Sequence, residues 1–204
     1  SNKMAFLRTS LYPGLLQAAE LNIKNSTNSL RLYELGNIHS QNGKKLGDMS
    51  EEIKLTGIIL GDERINSVHH EKEDHDIFSI KGMLKHILGD SIFSQIAMVE
   101  FKNELYEYGF SLDAGDMHIG TFGKISTKLF KLLKISFTDA FGFDIDIEKI
   151  KSFSGEKIYK SINSLPKISR RINLLLNEND SVGSILKLIQ EKGGANLIEY
   201  YPVE

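Results

Sequence analysis

Three carboxylates alternate in the last third of the chain, in Phe141-Gly142-Phe143-Asp144-Ile145-Asp146-Ile147-Glu148. Alternation on a strand puts Asp144, Asp146 and Glu148 on one face, where oxygen ligands could meet a divalent cation. Such a site needs ligands converging from several elements, which one strand does not supply. The segment therefore reads as a strand with a buried Phe and Ile side and a solvated acidic side. His69, His70 and His75 lie among Glu71, Glu73, Asp74 and Asp76 at spacings that match no zinc pattern, so that stretch reads as a solvated loop. His86 falls on a helix flank, and His39 and His118 show no acid or nucleophile partner from which to build a triad. Lys81-Gly82 lacks the preceding glycines and the following Ser or Thr of a phosphate-binding loop, and reads as a surface lysine on a helix.

Cations gather in two places. Lys124, Lys128, Lys131 and Lys134 form one group without compensating acids. Lys149, Lys151, Lys157, Lys160 and Lys167 lead into Arg170 and Arg171 in the other. Lys124, Lys128, Lys131, Lys167, Arg170 and Arg171 are the candidates for an RNA-facing or subunit-facing surface; the alternative is lysines that merely snorkel around short helices. The formal net charge of −2 argues against a chain that binds nucleic acid by its overall field. With no cysteine, disulfides and thiolate zinc sites are excluded, which fits a cytoplasmic protein. No apolar run approaches the roughly 20 residues of a membrane helix, and no secretory leader is visible.

The elements that must position these groups follow from periodicity. Pro13 starts an amphipathic helix over 13–25, behind Thr9 and Ser10 as caps, with Leu15, Leu16, Ala19 and Ile23 on its inner side. Leu30 to Ile38 is extended, with Gly36 marking a kink or bulge. Gln41-Asn42-Gly43-Lys44 signals a hairpin, and 52–61 has the apolar density of a central strand. Asp76 to Gly89 reads as a capped helix with a buried stripe of Ile77, Ile80, Leu84, Ile87 and Leu88. Extended segments follow at 96–102, 110–113 and 118–124, then a short helix at 126–133 and a strand at 140–147. Hairpin-linked strands with helices in the long connections predict an antiparallel sheet of the α+β class. Residues 149–167 change composition and read as a linker. Beyond them a strand at 168–176, a helix at 182–192 and a strand at 196–203 make a β-α-β unit half the size of a ferredoxin-like domain. Its unpaired edge suggests that a further half has been cut away.

The blocks themselves resemble a known family. Leu7-Arg8-Thr9-Ser10-Leu11-Tyr12-Pro13-Gly14-Leu15-Leu16 with Leu32-Tyr33-Glu34-Leu35-Gly36 resembles the "LRTSLLPGLL … LFEIG" signature of bacterial phenylalanyl-tRNA synthetase β subunits. Phe78 to Leu84 is similar to that family's "FFDLKGLLE", and Ile119 to Ser126 to its "IGWLGELHP". Ala140 to Ile147 is similar to "YAFELDL", and Ser164 to Ile172 to "SKFPAVRRDL". The family's "HPGRSA" is replaced by Glu107-Tyr108-Gly109-Phe110-Ser111-Leu112, and its His-Pro by Ser126-Thr127.

The resemblance implies a non-catalytic class II synthetase-like core over 3–150, a linker over 151–167 and the start of a ferredoxin-like anticodon-binding domain over 168–204. It also implies an α2β2 assembly with a catalytic α subunit, attachment of phenylalanine to tRNA(Phe), and ATP and Mg used by the assembly but by no residue of this chain. In catalytic members, arginines neutralise the ATP phosphates as charge develops. By similarity to "GRVYR", the first would fall near Ser40, which carries no charge. The "GxGxxR" motif would fall on Phe141 to Glu148, which has one glycine, three acids and no arginine. Two other functions stay open from sequence: a stand-alone class II-like domain that binds a nucleotide or amino acid, and an RNA-binding module.

Overall fold

A computed structural model describes residues 7–27, 29–41, 49–64, 73–137, 139–153, 166, 168–177, 180, 182–194 and 196–202. In chain order the elements are α1 (Tyr12–Lys24), β1 (Leu30–Gln41), β2 (Met49–Leu60), β3 (Asp62–Arg64), β4 (Glu73–Asp74), α2 (Ile77–Leu88) and α3 (Asp90–Phe93). They continue with β5 (Ala97–Phe101), β6 (Tyr106–Ala114), β7 (Met117–Ile125), α4 (Thr127–Leu133), β8 (Phe141–Asp146), α5 (Ile147–Phe153) and α6 (Val182–Lys192). The chain divides into two units, Ser1–Lys157 and Ile158–Glu204.

In the first unit six strands form one antiparallel sheet in the order β1-β2-β8-β7-β6-β5, the α+β architecture that the sequence predicts. β3 and β4 make a small ladder of their own. Side chains alternate across the sheet, so Ile58 and Ile59 serve opposite layers. Ile59, Leu112, Phe122, Phe143 and Ile145 pack with Ile80, Leu84 and Leu88 of α2. Ile58, Leu60, Tyr106 and Ile125 pack on the other face with Tyr12, Leu15, Leu16 and Ala19 of α1 and Phe130 of α4. Two covered faces explain the nearly continuous apolar run that ends β2.

Local signals place the helices. Asp76 accepts from the Ser79 N–H at 2.8 Å, and the Ser79 hydroxyl accepts from the Asp76 N–H at 3.2 Å, which closes a capping box on α2. Gly89, at φ 77°, ends that helix as expected. Ile87 departs from the predicted stripe: it is 43% exposed, because α2 rests on the sheet through Ile80, Leu84 and Leu88. α1 has Pro13 in its first turn but no side-chain cap; Ser10 accepts only the Tyr12 N–H, at 3.3 Å.

Several expectations are corrected. β1 pairs with β2 without a break from Leu30↔Leu60 to Gln41↔Met49, so Gly36 marks no bulge. The Arg8 guanidinium lies over Gly36, where a side chain would otherwise stand. The register shifts lie instead between β6 and β7, at Tyr106/Tyr108 and Leu112/Asp113. The Asn42-Gly43-Lys44 turn falls outside the described residues. α5 continues β8 directly and runs to Phe153, into the stretch read as linker. In the second unit α6 forms as predicted, with no buried residue. The described residues of 168–177 and 196–202 form no strand, because they find no ladder partner.

Candidate functional site

The acidic side of β8 is not solvated. It faces α1, and a polar network crosses it from helix to sheet edge. Antiparallel register sets Thr56 and Lys54 of β2 opposite Asp144 and Asp146, and Thr121 of β7 opposite Asp144. Tyr12 and Tyr106 share a hydroxyl–hydroxyl bond at 2.7 Å, and Tyr106 shares a second with the Thr121 hydroxyl at 3.1 Å. Thr56 donates to Asp144. Lys54 reaches Asp146 at 3.3 Å and Glu52 at 2.8 Å, and Lys149 reaches Asp146 at 3.5 Å.

Asp146 does structural work here. It accepts the N–H groups of Glu148 and Lys149, each at 3.1 Å, and so caps the first turn of α5. Glu148 accordingly belongs to that helix and not to the strand, so only two of the three acids share a strand face. The environments of the two aspartates separate their titrations. Burial raises the Asp144 carboxyl above the usual range, against the opposing bond from Thr56. Burial acts the same way on Asp146, but the Lys149 N–H and the Lys54 ammonium outweigh it and hold that carboxyl low. Burial pushes the Tyr12 and Tyr106 phenols up, so both stay neutral donors.

Space is as decisive as charge. A Cβ on Gly142 would stand 2.6 Å from Tyr12 Cε1, so the tyrosine ring lies directly against the backbone of β8. Lys54 is shared by two carboxylates, and the network holds no arginine. Residues so arranged do not fit ATP with magnesium, since phosphate needs uncompensated cations and an open floor. Ser40, where the sequence resemblance would set the first synthetase arginine, shares a 2.6 Å bond with Ser50 on the facing strand.

The other predicted residues scatter. Lys124 is compensated, with Asp139 at 2.6 Å and Glu107 at 3.8 Å, contrary to the expectation of no nearby acid. Lys128 and Lys131 are exposed on α4, and Arg170 and Arg171 are exposed in the second unit. Lys167, His69 and His70 lie outside the described residues. His118 does have an acid partner, Asp113 at 2.8 Å, which also accepts from Ser111 at 2.6 Å. Asp113 stands between the two, so the imidazole does not touch the hydroxyl and no nucleophile is activated. Among the described residues no three acids or histidines converge as metal ligands, and no helix is long and apolar enough to cross a membrane.

Sequence reasoning gave Arg8 no role. Its guanidinium pairs with Glu34 and donates to the Asn37 carbonyl at 2.8 Å, tying the segment before α1 to β1. Opposite charges in the two halves of the first quoted motif were the available signal.

A family model described as the phenylalanyl tRNA synthetase beta chain CLM domain matches residues 1–147. Curated relatives include the phenylalanine–tRNA ligase beta subunit of Staphylococcus saprophyticus, 28% identical over 95% of this chain and 24% of its own length. That of Bacillus subtilis is 26% identical over 98% of this chain and 25% of its own length. The chain thus spans about a quarter of the length of these relatives. Among solved structures, the pyrrolysyl tRNA synthetase PylSc of Desulfitobacterium hafniense superposes with a TM-score of 0.52 at 17% identity. The match covers 72% of this chain and 49% of that one, and it shows a class II synthetase-like fold.

Proposed function

Because the chain belongs to the phenylalanyl-tRNA synthetase β-chain family, we propose that it is a non-catalytic scaffold of phenylalanine–tRNA ligase. It packs against a catalytic α subunit in an α2β2 assembly and supports tRNA(Phe) during ATP-dependent phenylalanylation in the cytoplasm. ATP and magnesium act on the α subunit. The observation that carries this reading is the filled centre of the sheet: Tyr12 lies on Gly142, and Lys54 is consumed by Glu52 and Asp146. The same observation counts against a stand-alone nucleotide-binding domain.

Among the described candidates Lys128, Lys131, Arg170 and Arg171 are exposed and free to face RNA or a subunit; the acids around Lys124 make it the weakest of them. In this reading the second unit opens an anticodon-binding domain. The test is copurification of the chain with the matching α subunit, followed by aminoacylation and pyrophosphate exchange. A stable complex, with no exchange by this chain alone, is expected. ATP–pyrophosphate exchange by the isolated chain would overturn the reading.

A further inference from the structure

Two cavities adjoin on the α2 side of the sheet. The larger, of about 760 Å³, is lined by Arg31 of β1, by His75, and by Asp76 and His86 at the two ends of α2. The smaller, of about 200 Å³, lies against Leu55 and Phe143 of the sheet beside Tyr33. Arg31, Met83 and Ile87 border both, so a polar chamber and an apolar one share a wall. On this side α2 packs on β7 and β8 and α5 packs on β2 and β7. Ile59 and Phe143 are each only 1% exposed, so the floor is sealed. What remains open is a pocket of small-molecule size, within the range of about 300–1,000 Å³ usual for such sites.

The lining selects the chemistry of a ligand. Arg31 makes no ion pair among the described residues, and His86 likewise has no bonding partner among them. Asp76, the acid of the larger chamber, is already engaged: it accepts the Ser79 N–H at 2.8 Å and the Ser79 hydroxyl at 3.0 Å. One uncommitted guanidinium close to one carboxylate suits a monoanion. A phosphate dianion would face Asp76 with too little positive charge to offset it. The planar fork of arginine also matches the two oxygens of a carboxylate. The smaller chamber is walled almost wholly by apolar side chains, among them the adaptable Met83. At about 30 Å³ per water it has the volume of about seven waters, the bulk of a short acyl chain.

We propose that the two chambers form a binding site for a small amphiphilic monocarboxylate, its carboxylate on Arg31 with His86 beside it and its acyl chain between Met83 and Phe143. The apolar walls supply affinity by taking the chain out of water. Arg31, on the boundary between the chambers, fixes which end of the ligand enters. The site shares no residue with the polar network beneath α1, so it stands or falls apart from the scaffold role.

The experiment is an NMR titration of the isotope-labelled chain with octanoate, butanoate and octanol. Octanoate is expected to bind saturably and to shift the amides around Arg31 in β1 and around Met83 to Ile87 in α2. Butanoate should bind more weakly, by about fourfold for each methylene it lacks. Octanol, without the carboxylate, should bind about tenfold or more weakly than octanoate. Arg31→Gln is expected to weaken octanoate about tenfold and to leave octanol unchanged. Lys81→Gln removes the same charge from a position on α2 outside the lining and is expected to change neither. Both positions are exposed, and circular dichroism melts check that each variant folds. Octanoate shifts that do not saturate or that fall on other elements overturn the proposal. So does an octanol affinity equal to that of octanoate, or octanoate binding by Arg31→Gln at the unmodified affinity.

Discussion

The Tyr12 and Tyr106 hydroxyls meet at 2.7 Å, joining α1 to β6 across 94 positions of sequence, with their rings edge to face at 6.3 Å. Both residues are almost completely buried, at 1% and 3% exposure. The pair fills the space between α1 and the sheet face beneath it. Its energetics are asymmetric, since Tyr106 has a second partner in Thr121 and, among the described residues, the Tyr12 hydroxyl bonds only to Tyr106.

Tyr106→Phe is therefore expected to cost more than Tyr12→Phe. The first leaves the Tyr12 hydroxyl buried and unsatisfied, at about 1–3 kcal/mol, whereas the second loses a single bond, at about 0.5–1.5 kcal/mol. Urea unfolding of both variants and the double variant checks this. Equal costs, or additivity in the double variant, would show that the two hydroxyls are not coupled.

Gly142→Ala forces a Cβ to 2.6 Å from Tyr12 Cε1 and 3.1 Å from Ile125 Cδ1. Overpacking of this kind costs about 1–3 kcal/mol. Combining it with Tyr12→Leu should recover part of that loss, because the smaller side chain vacates the site. A double variant no better than the sum of the two singles would refute the contact.

Leu84 and Phe78 belong to the same helix but serve different purposes. Leu84 is fully buried and Phe78 is 71% exposed. Leu84→Ala should destabilise the fold by about 2–5 kcal/mol, and Phe78→Ala by less than about 0.5 kcal/mol. Thermal melts separate the two. A large stability loss in Phe78→Ala would mean that its ring is already covered.

Asp144 and Asp146 give opposite pH signatures. The Asp146 carboxyl titrates below the ordinary aspartate value of 3.8 in the fold, so its contribution is complete above that value and is lost as pH falls through the lower folded value. The Asp144 carboxyl titrates above 3.8, so the native state holds its proton more tightly and stability falls as pH rises through that window. Asp146→Asn should weaken the fold at pH 7 and have little effect under strongly acid conditions. Asp144→Asn keeps the acceptor for Thr56 and should stabilise the fold at pH 7 relative to its effect at pH 3. Unfolding free energies across pH 3 to 7 decide both, and parallel curves for the two variants would contradict the assignment.

How much of this was legible in the sequence follows from the range of each interaction. The capping box of Asp76 and Ser79, the stop at Gly89 and the alternation of Phe141, Phe143 and Ile145 depend on near neighbours, and each appears where its spacing places it. The family blocks were likewise readable, because they record residue types in order. The partnership of Lys54 with Asp146, 92 positions apart, arises only when β2 and β8 come into register. The same pairing turned an apparently solvated acidic face into a buried network. Residues 168–176 show the converse: their apolar pattern suits a strand, but a strand exists only where a neighbour completes its ladder, and the described residues provide none. Periodicity and capping residues determined the helices and the strands of the six-stranded sheet, and the ordered motif blocks carried the resemblance to the family. Which faces were covered, which cations were neutralised and which pocket stayed open were decided by tertiary structure, because burial and charge pairing are properties of distant segments brought together.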